Sequence, residues 1–153
     1  MKNTIQTEHY HVQEFLSADD IAQRVAQLGV DITKDYTDKE LVAIGIMNGS
    51  WIFCADLVRK IDKRITVDFL QLSSYGAGTT SSGVVDITQT LKIDLNGKHI
   101  MIIEDIVDTG NSMKRLKDWI DEHYDVASFA ICTLLNKPSR RQTHAIDDCI
   151  RYV

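Results

Sequence analysis

His99 to Leu116 reads HIMIIEDIVDTGNSMKRL, and this stretch decides the fold. An apolar run, Ile100 to Ile103, ends in two adjacent acids, Glu104 and Asp105. A third acid, Asp108, opens a run of small and polar residues, Thr109-Gly110-Asn111-Ser112. Met113, Leu116, Trp119 and Ile120 then recur at helical spacing. The pattern predicts a central buried strand that passes through a short loop into an amphipathic helix.

Working outward, Leu41 to Ile46 (LVAIGI) is a continuous apolar run of the kind buried on both faces of a parallel sheet. The NGS that follows turns into a helix with the stripe Cys54, Leu57, Val58 and Ile61, and a strand comes next at about Thr66 to Leu72. On the other side of the central segment, Ala127 to Leu135 is the next buried strand. Two βαβ units predict an α/β fold, an open, mostly parallel sheet with helices on both faces.

Smaller signals complete the layout. SADDIAQRVAQLGVDITKDY is a helix whose Ser17 and Asp20 have capping-box spacing, with Ile21, Val25, Leu28 and Ile32 on one face. Asn96-Gly97 marks a turn before the central strand. Residues 73–87, SSYGAGTTSSGVVDI, are rich in Gly, Ser and Thr, which predicts a long mobile loop of the lid type. Ligands in this architecture bind at the carboxyl ends of the strands. Three loops converge there: NGS, EDIVDTGNS and NKPSRR.

Composition excludes several function classes. The 153 residues suit one domain, with an apolar fraction of 44%, a charged fraction of 25% and a net charge of -5. With an acidic balance and no Lys/Arg cluster, we expect no nucleic acid and no membrane partner. The start, MKNTIQTEHYHVQEF, lacks a hydrophobic signal core, and no apolar run approaches the length of a membrane span. The three cysteines, Cys54, Cys132 and Cys149, are widely spaced and form no C-x-x-C. Buried thiols in a reducing cytoplasm are the expectation, and localisation is cytoplasmic. His9 and His11 read as solvent-facing residues of an N-terminal strand rather than a metal pair.

A helix N-terminus presents unpaired amides and the positive end of the helix dipole, so a phosphate sits there favourably. Thr109 to Ser112 supply amides, two hydroxyls and a glycine that lets the anion approach. No Lys follows the glycine and there is no G-x-x-x-x-G, so this is no P-loop, and its length suits a monophosphate. Glu104 and Asp105 would repel that phosphate on contact. They make sense facing a vicinal diol or a hydrated Mg2+, which prefers carboxylate oxygen. Phosphate on one side with diol and metal on the other describes a ribose 5-phosphate. Taken singly, each acid is better read as a solvated strand-end carboxylate; Ser112 also reads as a helix cap and Ser50 as a cap for the helix after NGS. The full string at a strand-to-helix junction favours the site.

The string IIEDIVDTGNS closely resembles the phosphoribosyl-pyrophosphate signature of type I phosphoribosyltransferases. SSYG, Ser73 to Gly76, resembles the start of the mobile loop in the 6-oxopurine branch, and LLNKPSRR, Leu134 to Arg141, its purine-reading segment. The resemblance covers about Leu41 to Arg141. It implies purine salvage: transfer of a phosphoribosyl group from phosphoribosyl pyrophosphate to hypoxanthine or guanine, with Mg2+ as cofactor. By position, it implies that Glu104 and Asp105 contact the ribose hydroxyls and Mg2+, and that Asp108 is the catalytic proton acceptor near N7 of the purine. Asp108 to Ser112 would wrap the 5′-phosphate and Lys137 would donate to the exocyclic 6-oxygen. Ser74 and Tyr75 would ride the lid, and Met47-Asn48-Gly49 would form the pyrophosphate loop with a cis peptide between its first two residues. Relatives of this kind form homodimers and homotetramers. Arg140 and Arg141 are left outside the predicted set, as either steering or merely solubilising groups.

Two departures stand against the resemblance. Asn48 replaces the basic residue often found in the pyrophosphate loop. Relatives also continue past DDCIRYV into a hood carrying an aromatic that stacks on the purine and an acid for a second Mg2+. For the single domain 1–153 read as lacking that hood, phosphoribosyl pyrophosphate binding is expected to survive better than purine transfer. The competing expectation is a regulatory protein that senses phosphoribosyl pyrophosphate without purine transfer; the acidic balance and Lys137 favour the enzyme. Transfer to adenine, uracil or orotate is a weaker third reading, opposed by SSYG and NKPSRR.

Overall fold

The computed structural model describes residues 4–6, 11–13, 15–74, 85–87 and 91–153. Two short strands, β1 (Thr4–Gln6) and β2 (His11–Gln13), pair antiparallel apart from the main sheet. His9 lies outside the described residues.

Helix α1 (Ala18–Asp35) starts on the predicted capping box: Ser17 Oγ accepts from the Asp20 amide, and the Asp20 carboxylate accepts from the Ser17 amide. Strand β3 (Leu41–Met47), helix α2 (Trp51–Val58) and strand β4 (Thr66–Ser74) form the first parallel βαβ unit. Strand β6 (His99–Val107), helix α3 (Asn111–His123) and strand β7 (Ser128–Asn136) form the second. Strand β5 (Val85–Ile87) lies antiparallel to β4, and β8 (Ile150–Tyr152) parallel to β7. The sheet order is β5-β4-β3-β6-β7-β8. Its five central and right-hand strands are all parallel, as a doubly wound fold requires.

Strand alternation divides the core between two faces. Met101 and Ile103 of β6 pack with Val25, Leu28 and Ile32 of α1 and Phe53, Cys54 and Leu57 of α2. Ile100 and Ile102 turn the other way, toward Met113, Leu116 and Ile120 of α3. Covered on both sides, β3 and β6 need unbroken apolar runs, which is why LVAIGI and IMII read as they do. Burial pushes the Cys54 and Cys132 thiols up to about 11 and about 12, as for inert core residues.

Several boundaries differ from the sequence reading. Strand β6 runs on to Val107, so Glu104 and Asp105 are strand residues rather than loop residues. Backbone pairing with β7, through Glu104↔Thr133 and Val107↔Asn136, carries the ladder past the point where apolar side chains stop. Helix α2 ends at Val58, leaving Ile61 buried beyond it. Ser50 holds the N-cap position of α2 without a side-chain cap; its buried hydroxyl donates to the Ile46 carbonyl at 2.6 Å. Ser112 does not cap α3, whose N-cap is Gly110. Both ends of the predicted loop 73–87 are strand instead: Ser73 and Ser74 close β4 and residues 85–87 are β5, paired through Leu72↔Ile87 and Ser74↔Val85, while residues 75–84 lie outside the described residues. Among the described residues no helix is long and apolar enough to cross a membrane.

Candidate active site

The carboxyl ends of β3, β6 and β7 lie side by side, and their three loops meet there. The peptide between Met47 and Asn48 is cis. After it the chain turns through Asn48-Gly49-Ser50 into α2. A Cβ on Gly49 would fall 2.8 Å from Asp105 Oδ2, so the bare glycine lets the loop rest against that carboxylate. Asp105 Oδ1 accepts from the Ile106 amide at 2.8 Å, and Glu104 Oε1 accepts from the Asp105 amide at 3.1 Å. Burial pushes the Glu104 carboxyl up to about 8, with a hydrogen bond to Asp105 and its charge acting the same way. The two acids thus stand side by side at the end of a strand, with burial disfavouring the charged form of Glu104.

Gly110 adopts the left-handed conformation, φ +85°, and turns the chain into α3. A Cβ there would meet Arg141 Cδ and the Thr143 carbonyl, each at 3.2 Å. No side chain caps α3 from the N-cap position, which Gly110 holds. The Asn111 amide lies 3.4 Å from Thr109 Oγ1, and the Asn111 side chain donates to Gln142 at 2.7 Å. Such an end suits an anion.

Register brings Lys137 opposite Asp108, because Val107 pairs with Asn136. The segment after β7 then zips onto the loop after β6. The Lys137 amide donates to the Val107 carbonyl, and the Gln142 amide to the Thr109 carbonyl, each at 2.9 Å. Lys137 itself is exposed. Asp108 Oδ1 is buried without a hydrogen bond, with Arg140 Nε 3.1 Å away off the hydrogen-bonding direction.

The structure therefore brings together Gly49 with Asp105, Glu104 with Asp105, and Asp108 with the Lys137 loop. Ser74 is the last residue of β4, and Tyr75 lies outside the described residues. Arg141, set aside in the sequence reading, is a buried member of the site: its Nη1 donates to the Val107 and Asp108 carbonyls at 3.1 and 2.5 Å. Sequence periodicity carries no sign of this, since a buried and an exposed arginine look alike in an irregular segment. Asn136 and Gln142 were missed for the same reason.

Residues 11–150 match the phosphoribosyl transferase domain. The chain belongs to the phosphoribosyl transferase family. It is 43% identical over 136 residues to the hypoxanthine phosphoribosyltransferase of Haemophilus influenzae, covering 87% of this chain and 75% of that protein. It is 44% identical over 126 residues to the hypoxanthine-guanine phosphoribosyltransferase of Streptococcus pneumoniae, covering 82% of this chain and 69% of that protein. A crystal structure of a hypoxanthine phosphoribosyltransferase from Staphylococcus aureus superposes with a TM-score of 0.83 at 39% identity, over 91% of this chain and 73% of that one.

For a phosphoribosyl transferase the acid pair fits Mg2+. A divalent cation bound between these neighbouring carboxyl groups would displace the proton that burial favours on Glu104 and offset the repulsion between the two charges. Among the described residues no three or more His, Cys, Asp or Glu side chains gather into a metal cage. Mg2+ takes one or two carboxylates and completes its shell with substrate oxygens and water, so the residue types of Glu104 and Asp105 fit it.

Proposed function

We propose that this phosphoribosyl transferase acts in purine salvage, joining hypoxanthine, and guanine, to the anomeric carbon of phosphoribosyl pyrophosphate with release of pyrophosphate. The observation that carries this reading is the juxtaposition of an uncapped helix end at Gly110, an acid pair at Glu104 and Asp105, and Lys137 zipped opposite Asp108.

Thr109, Gly110, Asn111 and Ser112 hold the 5′-phosphate on the α3 amides. Glu104 and Asp105 accept from the ribose hydroxyls and hold Mg2+. When bound, Mg2+ neutralises charge gathering on the departing pyrophosphate. Met47, Asn48 and Gly49 bind the pyrophosphate through their backbone, since none brings a cation. Lys137 donates to the 6-oxygen of the purine and so rejects adenine, whose 6-amino group offers no such acceptor. Asp108 accepts the N7 proton, and the attacking nitrogen gains electron density as the sugar becomes cationic. Ser74 and Tyr75 belong to the segment that excludes water from that cation. The protein works in the cytoplasm, consistent with free thiols at Cys54, Cys132 and Cys149. It works as a homodimer or homotetramer; Trp51 and Ile52, 53% and 59% exposed on α2, offer apolar surface for self-association.

The test incubates the protein with phosphoribosyl pyrophosphate, Mg2+ and one base at a time. Nucleotide should form from hypoxanthine and guanine but not from adenine, uracil or orotate. Binding of phosphoribosyl pyrophosphate without nucleotide from any base would overturn the reading in favour of a sensor.

A further inference from the structure

The Arg141 side chain is 1% exposed yet permanently charged. A guanidinium removed from water needs acceptors for its five N–H bonds, and the structure supplies four from three places. Nε donates to Asp147 Oδ1 at 2.9 Å. Nη1 donates to the Val107 and Asp108 carbonyls at the end of β6, and Nη2 to Asn136 Oδ1 at the end of β7. Asp147 is itself held on its other oxygen by His144 Nδ1 at 2.7 Å.

These contacts bear on two groups that Arg141 never touches by side chain. The Val107 carbonyl receives both Arg141 Nη1 and the Lys137 amide, so its two lone pairs tie the base of Lys137 to the guanidinium. The Asp108 carbonyl receives the same Nη1, which fixes the backbone from which the Asp108 carboxylate projects. We infer that Arg141 is the positioning residue that sets the purine donor Lys137 against the proton acceptor Asp108. The inference rests on the proposed purine transfer for its catalytic meaning, and on the hydrogen bonds alone for its geometry. The planar fork spreads five donors over three nitrogens and so spans these four oxygens; an ammonium of equal charge has three donors on one atom and cannot reach them all. Neighbouring Arg140 differs: its side chain is 64% exposed and lies beside the Asp108 carboxylate, not the backbone.

The phosphate end depends less on this strut, because α3 is anchored by Met113, Leu116 and Ile120 in the core. The inference therefore predicts an uneven loss. Arg141→Ala should lower kcat and raise the purine KM, each roughly 10–100-fold, since misplacing reacting groups by an ångström costs about that much. The phosphoribosyl pyrophosphate KM should stay within about threefold. Added guanidinium at millimolar levels should restore part of the Arg141→Ala rate and none of the Lys137→Ala rate. Arg141→Lys, which keeps charge and bulk, should show the same uneven loss and serves if the alanine variant does not fold. Asp147→Asn, which loosens the exposed end of the fork, should show it in milder form. Rate and both KM values within about twofold of wild type would overturn the inference, as would an equal loss toward both substrates without guanidinium rescue. Should the wild-type protein form no nucleotide at all, the functional reading falls and hydrogen exchange decides the geometry. Peptides spanning 107–110 and 136–143 should then exchange faster in Arg141→Lys, and unchanged exchange would overturn the positioning role.

Discussion

Asp108 is gripped by its backbone carbonyl while its Oδ1, buried, has no hydrogen bond. Arg140 Nε, 3.1 Å away, pairs with it by charge but off the hydrogen-bonding direction, which leaves a lone pair able to accept a proton. Asp108→Asn should lower kcat about 10²–10⁴-fold with little change in the phosphoribosyl pyrophosphate KM, as loss of a proton acceptor does. Steady-state kinetics check this, and comparable loss in both terms would mean a purely positional carboxylate. Lys137→Ala should raise the purine KM by roughly 10–150-fold, the equivalent of the 1.5–3 kcal/mol of a charged hydrogen bond. Unchanged purine affinity would remove Lys137 from the site. Glu104 gives a pH signature in the protein without metal. Its carboxyl ordinarily titrates at 4.5 and is raised to about 8 in the fold. Below the ordinary value both states hold the proton and folding loses nothing. As pH climbs from there to about 8, the unfolded chain ionises first, so this group's contribution to stability drains away. Glu104→Gln lacks that loss. Its melting temperature relative to wild type should rise between pH 5 and 8, by differential scanning calorimetry; parallel pH profiles would contradict the assignment.

Elements place these residues through their ends. Helix α1 closes its N-terminus on itself, with Ser17 and Asp20 exchanging hydrogen bonds. Helix α3 does the opposite, starting on a left-handed glycine that has no side chain to cap it. The contrast separates a helix end closed by its own side chains from one whose N-cap offers none. Gly110→Ala should destabilise the fold by about 1–2 kcal/mol from the left-handed backbone alone. Contact at 3.2 Å with Arg141 Cδ and the Thr143 carbonyl adds to that. A thermal melt reads the loss, and phosphoribosyl pyrophosphate affinity should fall with it. A variant of wild-type stability and affinity would mean that the turn tolerates a Cβ and does not shape the phosphate site.

Across the whole molecule, one sheet carries two separate cores, and the site sits where neither can close over the strand ends. Leu57 on α2 and Leu116 on α3 are each fully buried, on opposite faces. Leu57→Ala and Leu116→Ala should each cost about 2–5 kcal/mol, the range for emptying a buried leucine site. In denaturant unfolding the double variant should lose close to the sum, because the side chains share no contact. A strongly non-additive loss would show that the faces communicate through the sheet.

Much of this was legible in advance. LVAIGI and IMII can be buried only between two layers of helices, so their unbroken apolarity already stated a parallel sheet. Ser17 with Asp20 stated a helix start, and the 3.6-residue spacing of Met113, Leu116 and Ile120 stated which side of α3 is hidden. The acids, the glycine turn and Lys137 stood out because their residue types suit one kind of ligand. Other features depended on what lies across space. How far β6 runs is set by ladder bonds to β7, which carry Glu104 and Asp105 into the strand. Arg141 is buried because three loops deliver oxygens to one point, and no window of sequence contains all three. Local patterns determine periodicity and turns; a charge is placed inside a protein by partners distant in the chain, and only the folded molecule brings those partners to it.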